Sequence, residues 1–235
     1  MTIQELGFGA QLIAASAEIF DRYGVRLITG TDFNEYHRAL LKHRPNQPLG
    51  APFDPTIHKM SAKNSFWIIG YDADDRMVHT QAMRLIDLGT QSLADFMRAS
   101  FRQFPPVGVD LDLDASRYRP GPGARRIRGT AAYHGELWLD DSNPEIRGSG
   151  LSSMLGHFAF MTALHRFNPD HVFGFVARPV AYKGLAERLG FMHNEPSAVN
   201  WHMAESTKVL EGFMVYMSNE DLRFVLGLPM HEMAA

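Results

Sequence analysis

A turn of small residues, Gly148-Ser149-Gly150, separates a strand-like run, Gly135 to Leu139, from a long helix-like run, Leu151 to Phe167, and this succession constrains the chain more than any other feature. Small residues allow the main chain to approach an anion closely. The first free N–H groups of the following helix, and the positive end of its dipole, are directed at the same place. The segment Pro144 to Ser152 therefore reads as a phosphate cradle, although such a turn is also an ordinary connector between strand and helix.

The surrounding pattern is that of a mixed fold. Apolar residues at helical spacing from Gln11 to Tyr23 end at Gly24, Val25 to Ile28 alternates like a strand, and Thr31 with Glu35 predicts a capped helix from Asp32 to about His43, stopped by Pro45. The Pro- and Gly-rich stretch from Arg44 to Pro55 reads as a loop. Phe66 to Tyr71 and Met77 to Leu85 form a hairpin around Asp72 to Arg76, and Ser92 opens a helix reaching about Phe104. Pro105 to Arg128, with Arg117, Arg119, Arg125, Arg126 and Arg128 around Pro120-Gly121-Pro122-Gly123, reads as an irregular, mobile basic loop. His171 to Val176 suits a buried strand, Gly212 to Met217 another, and Ser218 with Asp221 has capping-box spacing. Together these elements predict an α+β domain on a largely antiparallel sheet with a parallel pair.

Composition narrows the possible partners. With 235 residues, 45% of them hydrophobic, the chain can bury a substantial core. A formal net charge of -3 provides no general attraction to nucleic acid or to an anionic membrane. The absence of cysteine excludes disulfides, thiolate nucleophiles and Cys-zinc sites, leaving 11 histidines as soft ligands. No basic segment leads an apolar stretch between Met1 and Phe20, and no run approaches the length of a membrane span, so the cytoplasm is the expected location.

With Arg147, Gly148, Ser149, Gly150, Leu151 and Ser152 in the order Arg-x-x-Gly-x-Ser, the chain resembles the GNAT superfamily of acyl-CoA-dependent N-acyltransferases, whose pyrophosphate loop reads Arg/Gln-x-x-Gly-x-Gly/Ala at a helix start. Gly184-Leu185-Ala186-Glu187-Arg188-Leu189-Gly190-Phe191 looks like the family's second hallmark, a helix ending in Leu-Gly-Phe beside the acyl donor. The resemblance covers Gly129 to Phe191. It implies a GNAT-like fold in which the strand before the cradle and the strand after its helix splay apart at the cofactor site. The main chain of Leu137, Trp138 and Leu139 would line the pantetheine arm, and Arg147 to Ser152 would hold the diphosphate. On this basis residues 1–59 are a helical extension with the first strand, 60–195 the acyltransferase core, and 196–235 a C-terminal strand and helix. The co-substrate is acetyl-CoA or a longer acyl-CoA, with no metal, and the acceptor is a small-molecule amine. A non-catalytic acyl-CoA-binding module is the alternative.

Acyl transfer to an amine requires a base for the ammonium proton and an acid for the departing thiolate. Glu136, on the strand entering the cradle, fits the family's carboxylate base, acting directly or through water. His134, two residues away, would project from the same face and share a water chain. The alternative for Glu136 is a structural role, capping nearby backbone or pairing with Arg84. The family's usual acid, a Tyr four residues before the Gly of the Gly-Phe pair, is replaced by Ala186, which leaves Tyr182 one turn earlier, or water.

Other polar groups point less clearly. Asp110, Asp112 and Asp114 would share one face of a strand, as a hard-metal site or as an acidic surface balancing the arginines, and His157 and His165 belong to no zinc motif. Gln81-Ala82-Met83-Arg84-Leu85, a Gly-Thr turn and the Leu93 to Phe104 helix are similar in layout to acyl-homoserine-lactone synthases, which makes acyl carrier protein an alternative donor. The arginine loop could then grip a ribose phosphate or an acidic carrier helix. Helices outside a small sheet domain would suit a homodimer surface.

Overall fold

The computed structural model describes residues 3–140, 142 and 149–228. Along the chain run α1 (Ile3–Tyr23), β1 (Arg26–Gly30), α2 (Phe33–His43), β2 (Ser65–Tyr71), β3 (Met77–Asp87), α3 (Leu93–Ser100), β4 (Leu111–Tyr118), α4 (Pro122–Arg126), β5 (Thr130–Leu139) and α5 (Leu151–Phe167). There follow β6 (His171–Ala177), α6 (Arg178–Ala181), α7 (Leu185–Leu189), β7 (His193–Met203), β8 (Val209–Ser218) and α8 (Asn219–Leu226). The strands form one eight-stranded sheet in the order β1-β2-β3-β5-β6-β8-β7-β4. Every neighbouring pair is antiparallel except β5 and β6, which run parallel. The architecture is the mixed α+β, largely antiparallel arrangement with one parallel pair that the GNAT resemblance implies.

Strand alternation builds two cores, one on each face of the sheet. From β2, Phe66 and Ile68 face the core that contains α1, α5, α7 and α8, while Trp67 and Ile69 face the core that contains α2, α3 and α4. Helix α5 is buried almost throughout, from Leu151 to Ala163, because α1, α7, α8 and the sheet surround it, and a helix apolar on all sides must be internal. The helix ends follow capping chemistry. Gly24 closes α1 at φ 65°, donating to Phe20 O at 2.7 Å. Ser218 and Asp221 form the expected capping box of α8 (3.1 and 2.8 Å). At α2 the cap is Asp32, whose carboxylate accepts from Asn34 N–H at 2.9 Å, rather than Thr31.

Residues 105–128 correct the expectation of an irregular loop. They form β4 and α4, and the carboxylate of Glu195 accepts from the N–H groups of Gly123 and Ala124 at the start of α4. Ala124 and Ile127 pack in the α2–α3 core, so this basic segment lies on the opposite face of the sheet from α5. Of the three aspartates, Asp112 turns back to accept from Asp114 N–H (3.0 Å) and Ala115 N–H (2.9 Å), and Asp114 lies 4.0 Å from Arg102. Strand β7 has no counterpart among the elements that the sequence pattern predicts. It pairs with β8 on both sides of an irregularity between Glu195 and Val199, where Ser197 adopts φ 54°.

Candidate active site

The β5–β6 ladder extends only from Ala131–His171 to His134–Gly174. Beyond that point β5 continues along β3 to His79–Leu139, and β6 continues along β8 to Ala177–Gly212, so the parallel strands part. The gap is a cleft of about 370 Å³, lined from β5 by Gly135 to Trp138 and from β6 by Phe175 to Ala177. A smaller hollow of about 130 Å³ lies beside Leu137, Trp138 and Leu139 and reaches Ser152 in the first turn of α5. Leu137, Trp138 and Leu185 border both spaces, so the hollow at the start of α5 abuts the cleft.

Glu136 sits at a bulge in β5. Thr80 pairs with Trp138 and Ala82 with Gly135, so Glu136 and Leu137 together stand opposite Gln81. Glu136 takes φ 54°, a left-handed conformation costing a non-glycine residue roughly 1 kcal/mol. The bulge corrects the expectation that Glu136 and His134 share a face. Tyr133 packs on Phe53 and Phe104, and His134, its neighbour, points the other way, against Phe160 and Phe191. The extra residue turns Glu136 to Tyr133's side, below α2.

There the carboxylate accepts from Gly50 N–H at 2.9 Å and from the Tyr36 hydroxyl at 3.4 Å. A Cβ at Gly50 would lie 2.3 Å from Glu136 Oε1, so the bond requires a residue without a side chain. Burial pushes the carboxyl up to about 7, against the lowering effects of the Gly50 N–H, the Tyr36 hydroxyl and the Arg44 guanidinium. Burial, with Glu136 next, likewise holds Tyr36 well above the ordinary tyrosine range, so it is a neutral donor. Arg44 lies over the Trp138 ring, 3.8 Å from its centroid. Arg84, the alternative partner of Glu136, packs instead over Phe104. A carboxyl with a midpoint near neutrality, facing a cleft, suits a proton acceptor.

His134 is held as a neutral donor. Gln81 Nε2 donates to Leu155 O (2.8 Å), which turns Gln81 Oε1 toward His134 Nε2 (2.9 Å), so that nitrogen carries the proton. Burial lowers the ring to about 4, and it remains uncharged at neutral pH. Tyr182 is 70% exposed and packs edge-on against Phe213, outside the lining of the cleft. The helix expected through residues 184–191 is divided from Tyr182 by Gly184 at φ 72°, so Tyr182 and Ala186 do not share a helical face. Among the described residues, Tyr133 is the tyrosine that lines the cleft, and burial raises its hydroxyl.

At the start of α5, Gly150 is the N-cap at φ 83°. Tyr23 Oη donates to Ser149 O at 2.8 Å and Ser149 Oγ accepts from Leu151 N–H at 3.3 Å, anchoring the turn to α1. Arg147 and Gly148 lie outside the described residues. Tyr36, Gly50 and Arg44 join the site without a signal in the sequence. Tyr36 has the spacing of a core residue with Phe33 and Leu40, and a backbone donor such as Gly50 N–H has no side-chain signature. Among the described residues, no group of three or more His, Asp or Glu side chains could hold a metal, and no helix is long and apolar enough to cross a membrane.

No protein-family model matches the chain, and no curated protein matches it. Among solved structures it is similar to Arabidopsis thaliana NAA60 in complex with acetyl-CoA, at 9% identity and TM-score 0.46, over 83% of this chain and 98% of that one. It is similar to an N-acetyltransferase from Staphylococcus aureus Mu50, at 12% identity and TM-score 0.44, over 83% and 98%. It is also similar to the spermidine/spermine N-acetyltransferase SpeG from Vibrio cholerae, at 13% identity and TM-score 0.45, over 84% and 95%. At these identities and scores no activity, substrate or residue role passes from them to this chain.

Proposed function

We propose that the protein is an acyl-CoA-dependent N-acyltransferase acting on a small-molecule amine. The observation that carries the reading is the parting of β5 and β6 beyond His134–Gly174, with the Glu136 carboxyl in the gap and an adjoining hollow that reaches the first turn of α5. The residues fit a thioester carrier. Among the described residues, the β6-facing edge of β5 from Gly135 to Leu139 has no strand beside it, so Leu137 to Leu139 can bond the pantetheine arm as a further strand would. Ser149 to Ser152, together with Arg147 and Gly148, would take the diphosphate at the positive end of a 17-residue helix.

The donor supplies an acyl group activated as a thioester. On the chain's side, Glu136 takes the proton of the acceptor ammonium, directly or through water, leaving the nitrogen lone pair free to attack. Tyr36 and Gly50 N–H hold the carboxylate toward the cleft, and Arg44 favours its ionised form. With Ala186 buried and Tyr182 outside the cleft, protonation of the leaving thiolate falls to water or to Tyr133.

Incubation with acetyl-CoA and longer acyl-CoAs plus a panel of amines, monitoring released thiol, tests the activity, and thermal stabilisation by CoA tests the binding. Stabilisation by CoA with thiol release that Glu136→Gln slows is the expected result. The absence of both stabilisation and turnover would refute it, and acyl carrier protein supplied in place of CoA distinguishes the two donors. Tight CoA binding without transfer, unaffected by Glu136→Gln, would favour a non-catalytic module.

A further inference from the structure

A second cavity, of about 360 Å³, opens from the cleft on the side where Glu136 lies. The two spaces share Pro105, Pro106, Tyr133 and the Phe175 to Ala177 stretch of β6. Its walls are largely apolar and aromatic, including Phe104, Tyr133, Phe175, Val199, Trp201 and Leu210. All six belong to the α2–α3 core or pack on it, which places the cavity on the same face of the sheet as the Glu136 carboxyl and opposite α5. Volumes in the range of about 300–1,000 Å³ with such walls hold small organic molecules.

Among the described residues, the charged side chains that line the two spaces are few. Glu211, the one carboxylate of the second cavity among the described residues, pairs with Arg178 at 3.0 Å and accepts from Ser197 Oγ at 2.5 Å. In the cleft the carboxylate is Glu136. A polyamine would bring two or more ammonium groups to a lining that offers, among the described residues, one carboxylate not paired with an arginine, and burying an unpaired cation is costly.

Resting on the acyltransferase reading, we infer that the acceptor carries a single ammonium group on an apolar body of ring size, with the body in this second cavity and the nitrogen at Glu136. The alternative occupant, a long acyl tail, enters with the donor from the α5 side. The amine approaches from the side that holds both the base and the cavity.

Binding can be read without turnover, because Trp201 lines the cavity and reports on its contents. With CoA present, 2-phenylethylamine and tryptamine should each compete for one site, and 2-phenylethylamine should alter an emission that is missing in Trp201→Phe. Spermidine and ethanolamine should bind roughly 30-fold or more weakly, the scale expected when an apolar body finds no matching pocket or a charge finds no partner. Val209 is 43% exposed at the mouth of this cavity and lies outside the cleft lining, so Val209→Trp narrows the entrance without disturbing a core. It should weaken 2-phenylethylamine by about 10-fold while leaving CoA binding and ethanolamine binding unchanged. Spermidine binding as tightly as 2-phenylethylamine would overturn the inference. So would Val209→Trp altering the preference for acyl-chain length with ethanolamine as acceptor while sparing 2-phenylethylamine. Binding of 2-phenylethylamine with no thiol release from any donor would uphold the cavity's assignment and count against the transfer activity instead.

Discussion

Replacing Glu136 by Gln should make the protein more stable and nearly inactive at the same pH. The carboxyl is lifted from 4.5 to about 7 by its enclosure beneath α2. Between those values the unfolded chain has released the proton while the folded chain still holds it, so the folded state loses stability as pH rises through this window and is level above it. At about 1.4 kcal/mol for each pH unit separating the two midpoints, the upper value is about 3 kcal/mol. Because the cleft admits water, about 2–3 kcal/mol is the expected size. Gln cannot ionise, and its Oε1 can still accept from Gly50 N–H, so the variant keeps that bond and escapes the penalty. Urea unfolding of both proteins from pH 4.5 to 8.5 should give curves that coincide at the acid end and separate by about 2–3 kcal/mol above pH 7, with Gln the more stable. Thiol release by the variant should fall by about 10²–10⁴-fold, the usual contribution of a positioned base. Turnover by the native protein should rise with pH through a midpoint near 7 as the carboxylate forms. A stability difference independent of pH, or a Gln variant less stable at pH 8, would refute the reasoning from burial.

Three further perturbations probe the same construction. Tyr36→Phe removes a donor that favours the ionised form of Glu136, so the rise of turnover with pH should move upward by about half a pH unit, as read from a kcat–pH profile. Gly50→Ala places a methyl group 2.3 Å from Glu136 Oε1, which should displace the carboxylate and lower kcat by about 10-fold or more, with CoA binding unchanged by calorimetry. Gly156→Ala inserts a Cβ 2.9 Å from Leu189 O, where α5 and α7 touch, and should cost about 1–3 kcal/mol in denaturant unfolding through overpacking.

What can be read from the sequence depends on how regular each segment is. Helix α5, the β2–β3 hairpin and β8 are rich in apolar residues over the length of an element, and their positions are legible in the residues alone. Strand β7 carries Pro196 and Ser197 in its middle, where its ladder with β8 is interrupted, so no alternation survives to be seen. Strand β4 is at the sheet edge with seven of its eight residues exposed or half-buried, and an edge strand needs little apolar pattern. The site follows the same logic. Glu136 and the turn at Ser149 to Ser152 are local features of strand and helix, whereas Tyr36 and Gly50 reach Glu136 from 100 and 86 residues away. Counting along a helix leads to Tyr182, but Gly184 divides that helix.

The failed pairing of His134 with Glu136 shows what the bulge contributes. A regular β5 would place residues 134, 136 and 138 on one face. With one residue added, Leu137 and Leu139 pack toward α5, while Glu136 and Trp138 turn toward α2. The hollow leading to Ser152 thus opens on one side of the sheet and the carboxyl on the other. Groups held on opposite sides of a paired sheet are separated by its backbone, and they can meet only where two strands have parted. The β5–β6 ladder ends at His134, two residues before the bulged glutamate, so the opening and the carboxyl coincide. The strain at Glu136 and the turn of its carboxyl toward α2 are therefore consequences of a single inserted residue, and the gap lies beside them. A β5 without the bulge would hold the carboxyl with His134 on the α5 face, away from Tyr36, Gly50 and the apolar cavity.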